Sequence, residues 1–136
     1  MKDAYTLAWS FRNRKEILFE SIRTAHETCP PEVDFQLVDA ASDEDTIRSL
    51  REFCNTIEGR KIRVGESSYR SSLSEAWNLC MMLTENRWVI FASSDVIFQK
   101  EGWFTLLKEA SRNSPYVLMN NHAVFCLDKE SIPRMG

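Results

Sequence analysis

Arg87–Phe98 reads R-W-V-I-F-A-S-S-D-V-I-F. An apolar run (Trp88, Val89, Ile90, Phe91, Ala92) stops at two serines and an aspartate, and apolar chain resumes at Val96, Ile97 and Phe98. A short run rich in β-branched and aromatic residues predicts a strand buried on both faces. Asp95 then sits where a central strand ends. In open α/β sheets that edge is where ligands bind. A carboxylate there stays charged and is held rigidly enough to place a metal ion.

The flanking sequence supplies the rest of such a sheet. Upstream, Tyr5–Phe11 reads as the first strand and Arg12-Asn13-Arg14 as a polar turn. Ile17, Leu18, Ser21, Ile22 and Ala25 recur at helical spacing, which predicts a helix over Lys15–Thr28 closed by Pro30-Pro31. Val33–Val38 alternates and runs into Asp39, a second strand. Ser42 or Asp43 then caps a helix whose buried stripe is Ile47, Leu50, Phe53, Cys54 and Ile57, stopped by Gly59. Lys61–Gly65 is a third strand, Glu66–Arg70 a polar loop, and about Ser71–Glu85 a third helix. Downstream of Asp95, Trp103, Leu106, Leu107 and Ala110 mark a fourth helix over Gly102–Asn113. Tyr116–Met119 and Ala123–Leu127 are extended, and Asp128–Arg134 holds a last helical turn. Such alternation argues an α/β domain with a largely parallel sheet.

The bulk numbers narrow the function classes. The 136 residues suffice for one domain with a core, and apolar content of 43% is ordinary for a globular protein. A net charge of −3 and no basic tract leave no electrostatic footprint for nucleic acid. No run approaches a membrane span, and the N-terminus is too polar for a secretory signal, so the expected location is cytoplasmic. The four cysteines form no CxxC pair and read as free buried thiols. No dinucleotide fingerprint, P-loop, nucleophile elbow or HExxH is present. His122, in N-N-H-A, reads as a structural strand residue, and His26 as a surface or helix-dipole residue. What remains is polar residues at four strand ends: Ser10, Arg12 and Asn13; Asp39 and Ser42; Glu66–Arg70; Ser93–Asp95. In a parallel sheet these meet on one edge.

In that order, the segments resemble those of family 2 glycosyltransferases. Ser10–Arg14 (S-F-R-N-R) is similar to the family's opening P-T-Y-N-R, and Leu37–Ser42 (L-V-D-A-A-S) to its V-V-D-D-G-S. Ser71–Asn78 occupies the place of its G-x-x-x-A-R-N, and Val89–Phe98 that of the strand ending in D-x-D. Phe125–Gly136 is similar to the segment before the acceptor-side loop. The resemblance covers nearly the whole chain. It implies a GT-A fold, a three-layer α/β/α sandwich with a mostly parallel central sheet. It implies that residues 1–136 are a single nucleotide-sugar-binding domain lacking the C-terminal acceptor-side part.

The resemblance also assigns roles. Asp39 would accept a hydrogen bond from the donor's base, and Ser10, Arg12 and Asn13 would line the nucleoside pocket. Asp95, beside Ser93 and Ser94, would hold a divalent cation, Mn2+ or Mg2+, on the donor's diphosphate. Arg70 would add positive charge to the phosphates. The sequence departs from the family at Ser93, where the first D-x-D carboxylate stands, at Ala40 and Ala41, and at Trp77 in place of the A-R-N arginine. No residue is assigned as general base. The implied activity is inverting, metal-assisted sugar transfer from a nucleoside-diphosphate sugar to a saccharide or other hydroxyl acceptor. The alternative is a non-catalytic nucleotide-sugar-binding or assembly module needing a partner or further C-terminal sequence. A homo-oligomer or larger assembly fits either. A flavodoxin-like receiver is disfavoured, because Ser10, Phe11 and Arg12 stand where it needs paired acidic residues.

Overall fold

A computed structural model describes residues 2–40, 42–67, 73–119 and 123–131. The elements run β1 (Lys2–Phe11), α1 (Lys15–Thr28), β2 (Asp34–Ala40), α2 (Glu44–Asn55), β3 (Ile62–Ser67), α3 (Leu73–Leu83), β4 (Asn86–Ala92), α4 (Trp103–Ser111), β5 (Tyr116–Met119) and β6 (Val124–Asp128), followed by a 3-10 turn over Lys129–Ser131. The strands form one sheet in the order β3-β2-β1-β4-β6-β5. β1 to β4 are mutually parallel, while β6 runs antiparallel to both β4 and β5. This is the expected mostly parallel α/β/α sandwich.

Strand alternation assigns the two faces. Leu7, Trp9, Phe11, Phe35, Leu37, Ile90 and Ala92 pack with α1, α2 and α4 through Leu18, Ile22, Leu50, Trp103 and Leu107. The opposite parity (Ala8, Val38, Val89 and Phe91) packs against Ala76 and Cys80 of α3. Trp77 closes that smaller core against Phe91 and Phe125, with centroids 4.9 and 4.7 Å away. Phe19 of α1 stacks on Phe53 of α2 at 4.5 Å. Gly65 lets α3 approach β3, since a Cβ there would lie 2.7 Å from Leu83 Cδ1. The four cysteines are free, and burial raises Cys29 and Cys54 to about 11 and Cys80 and Cys126 to about 12. They are inert thiols.

Several expectations shift. β2 continues through Asp39 to Ala40, so Asp39 lies inside the strand. α2 ends at Asn55, short of Ile57 and Gly59, because the Thr56 N–H closes the last turn onto Phe53 and Cys54 carbonyls. The chain after Asp95 begins with a turn, in which the Val96 N–H donates back to the Ser93 carbonyl at 3.2 Å. His26 is no simple dipole residue. Its Nδ1 accepts from Arg60 Nε at 3.0 Å, and burial with that guanidinium lowers its pKa.

Candidate donor site at the switch point

Because β1 to β4 are parallel, their C-terminal ends share one edge. The order β3-β2-β1-β4 means that successive crossovers leave β1 in opposite directions, so a crevice opens between β1 and β4. This is the topological switch point, where open α/β sheets bind ligands. The β1–α1 loop carries Arg12 and Asn13 to this edge. β2 brings Asp39, and the loop after β4 brings Ser93, Ser94 and Asp95.

Asp39 faces the α1/α2 side and is only 3% exposed. Its Oδ1 accepts from the Ser42 backbone N–H at 2.9 Å. Among the described residues no donor reaches Oδ2. A buried carboxylate oxygen without a partner is costly and suits a ligand N–H. Ser42 Oγ in turn accepts from the Asn13 backbone N–H at 2.7 Å, and Asn13 Oδ1 accepts from the Asp43 N–H at 3.1 Å. Asp43 caps α2 by accepting from Thr46 N–H at 2.9 Å, a bond that lowers its own pKa. Both Asn13 and Arg14 adopt φ 56°, the left-handed region that is uncommon for residues other than glycine. Ser10 is half-buried beside Val38, and Arg12 is exposed.

Across β1, the Ser93 N–H donates to the Ala123 carbonyl at 3.0 Å, tying the loop after β4 to the start of β6. Ser93 and Asp95 are exposed and Ser94 half-buried. Among the described residues nothing engages the Asp95 carboxylate, and none form a cluster of three metal-ligating side chains. Oxygen donors suit a hard cation, and Mg2+ in particular is held by one or two carboxylates with substrate phosphates and water. Asp95 fits that role as a single protein carboxylate. Beside it, Val96, Ile97, Phe98, Trp103, Met119 and Val124 line an apolar recess of about 250 Å3.

The glycosyl transferase family 2 model matches residues 9–135, nearly the whole chain. The chain belongs to glycosyl transferase family 2. No curated protein matches the sequence. Among solved structures, it resembles a mannosyltransferase from Pyrobaculum calidifontis in complex with GDP-Man and Mn2+, at a TM-score of 0.86 and 13% identity, covering 96% of this chain and 46% of that one. It also resembles TarS of S. aureus in complex with UDP, at a TM-score of 0.68 and 20% identity, covering 85% of this chain and 34% of that one. GalNAc-T7 with UDP, GalNAc and Mn2+ matches at a TM-score of 0.60 and 14% identity, over 67% of this chain and 17% of that one. The chain therefore spans less than half the length of these solved proteins, and they establish its GT-A fold.

Within this family 2 sheet, Asp39, Ser42 and Asn13 form one bonded group, while Ser93, Ser94 and Asp95 stand on the other side of β1. Arg70 and His122 lie outside the described residues. The acidic run after β2 is a helix start, as expected: Asp45 pairs with Lys15 at 2.7 Å and with Arg48 at 2.9 Å, which lowers its pKa. Of the two cap candidates, Asp43 caps α2, and Ser42 instead bridges Asp39 to Asn13. The signal for its bridging role was its place three residues after Asp39, within reach of a side-chain-to-backbone bond of the capping kind.

A larger recess, about 720 Å3, opens at the opposite edge and includes Tyr5, Arg87, Trp88, Lys108, Arg112 and Asp128. Its central charges are already paired. Arg87 grips Asp128 with two bonds of 2.8 Å, which holds the Asp128 carboxyl down at about 2. It lies at the strand ends away from the switch point. Among the described residues no helix is long and apolar enough to cross a membrane.

Proposed function

We propose that residues 1–136 form a single donor-binding domain of a glycosyltransferase that passes a sugar from a nucleoside-diphosphate sugar to a hydroxyl acceptor, metal-assisted and with inversion. The observation that carries this reading is the buried Asp39 carboxylate at the switch-point edge, with one oxygen free of any donor among the described residues. A nucleobase edge presents the planar N–H that such an oxygen needs. Ser10 and Asn13 flank the nucleoside, and Arg12, exposed on the loop between Asp39 and Asp95, offers a guanidinium to the phosphates. Arg70 belongs to the same proposed set. Asp95 would hold Mn2+ or Mg2+, which would neutralise the charge gained by the departing nucleoside diphosphate. The GDP-Man and Mn2+ of one solved neighbour, and the UDP and Mn2+ of another, support this choice of ligands. The free thiols accord with a cytoplasmic location.

One observation favours a second reading, a non-catalytic nucleotide-sugar-binding or assembly module. Ser93 stands where the D-x-D motif carries its first carboxylate, so the cation gains one protein carboxylate and not two.

Thermal melting tests the donor reading. UDP or GDP with Mn2+ raises Tm, because a ligand that binds only the folded state stabilises it by mass action. Asp95→Ala removes the Mn2+-dependent part of that rise. No response to any nucleoside diphosphate would sink both readings. Transfer or hydrolysis of a labelled sugar separates the enzyme from the binder.

A further inference from the structure

We infer that Ser42 is a positioning residue that couples the Asp39 carboxylate to the β1–α1 loop, and thereby sets how sharply the site discriminates between nucleobases. The inference rests on the donor-binding reading above. Ser42 is bonded in two directions. Its N–H fixes Asp39 Oδ1 at 2.9 Å, and its Oγ receives the Asn13 N–H at 2.7 Å. Asn13 returns the connection one residue further on, where its Oδ1 takes the Asp43 N–H at 3.1 Å. Two bonds thus join loops about thirty positions apart in sequence, and a third ties Ser42 to Asp39 within its own segment.

The geometry asks for such an anchor. Asn13 and Arg14 are consecutive left-handed residues, each at φ 56°. Such conformations cost energy and persist where surrounding contacts over-determine them. Here the contacts come from Ser42 and Asp43. Asp39 is 97% buried, so its carboxylate has little water to reorient against. The Ser42 N–H engages Oδ1, and Oδ2 is left without a donor among the described residues. Ser42 acts through Asp39 on one side and through the loop bearing Arg12 on the other.

The test is the affinity of the full chain for UDP, GDP, CDP and ADP with Mn2+, measured by calorimetry, with Tm recorded for every variant. Ser42→Ala weakens the best-bound nucleotide by roughly tenfold, the scale of one hydrogen bond, and narrows the spread among the four. Ser42→Thr, which keeps the hydroxyl, restores both to within about threefold. Ser42→Ala placed in an Asp39→Asn background costs little more than Asp39→Asn alone, since coupled residues are non-additive. A purely structural serine lowers Tm but leaves the spread intact and adds independently to Asp39→Asn; that result overturns the inference. If Ser42→Ala does not fold, Ser42→Cys decides. It keeps the backbone N–H to Asp39 but replaces Oγ with a weak sulfur acceptor for the Asn13 N–H. Weakened, less selective binding supports the clasp, and unchanged binding overturns it. A wild-type chain that binds none of the four nucleotides overturns the donor reading and this inference together. A wild type that binds, beside a folded Ser42→Ala that binds identically, overturns the inference alone.

Discussion

The two edges of the sheet are built on opposite rules. At the edge away from the switch point, side chains are spent on the protein itself. Arg60 donates to the carbonyls of Cys29, Pro30 and Val33 at 2.7, 2.8 and 2.6 Å, closing the end of α1, and lies over the Phe35 ring. Lys129 does the same for α3, donating to Met81 and Thr84 carbonyls at 3.0 and 2.7 Å. Asn86 Nδ2 meets Thr6 Oγ1 at 2.8 Å and Asp34 Oδ2 at 3.0 Å, and Arg87 holds Asp128. At the switch-point edge, Asp39 keeps an oxygen in reserve and Asp95 and Arg12 are exposed. One edge stabilises the fold, and the other leaves its polar groups for something outside the chain. The larger recess lies at the other edge, where Arg87 and Asp128 are already paired with each other.

The contrast can be broken from either side. The largest stability loss is expected at Arg60. Arg60→Met loses the guanidinium over Phe35 and its bonds to the Cys29 and Val33 carbonyls, costing about 3 kcal/mol. In a thermal melt this is a fall in Tm of roughly 10 °C, with nucleotide affinity unchanged. Next comes Asp128→Asn, whose effect depends on pH. The folded-state pKa of Asp128 is about 2, below its ordinary 3.8. Between those values the unfolded chain binds the extra proton, so the stabilisation is complete above about pH 4 and disappears as pH falls through 2. Denaturation series should therefore show the variant weaker than wild type at pH 6, with the gap closing towards pH 2. Asp39→Asn reverses the pattern: Tm holds or rises, because a buried charge is removed, while nucleoside diphosphate affinity drops at least about tenfold. The smallest stability effect belongs to Asp95→Ala, within about 0.5 kcal/mol of wild type in chemical denaturation, as befits an exposed loop side chain.

How much of this could be read from the sequence follows from the range of the interactions. α1 was legible, read at about Lys15–Thr28, because a polar turn precedes it and Pro30-Pro31 follows. The convergence of strand ends was legible because helix–strand alternation forces parallel strands to share an edge. The antiparallel direction of β6 was not, since an extended segment carries no sign of its orientation. Asp39 looked like a strand terminus because its polarity resembles a turn residue, yet β2 pairs past it to Ala40, matched with β3. Arg60 carried no signal in the sequence. Its partners lie about thirty positions earlier, and no local pattern points that far. The Asn13–Ser42 bond was hidden for the same reason.

Counting strands gives the site a length scale. Asp39 sits on β2 and Asp95 just beyond β4, with β1 between them. Two interstrand spacings separate the strands that carry them, roughly 10 Å. A sheet cannot change the spacing of its strands without breaking its ladders. In the proposed donor mode a ligand presents its hydrogen-bond donor to Asp39 and, through the divalent cation, its phosphate oxygens to Asp95. The span from a nucleobase edge to a second phosphate is of that order. A nucleoside alone or a bare pyrophosphate engages one carboxylate only, and each should bind far more weakly than the two joined.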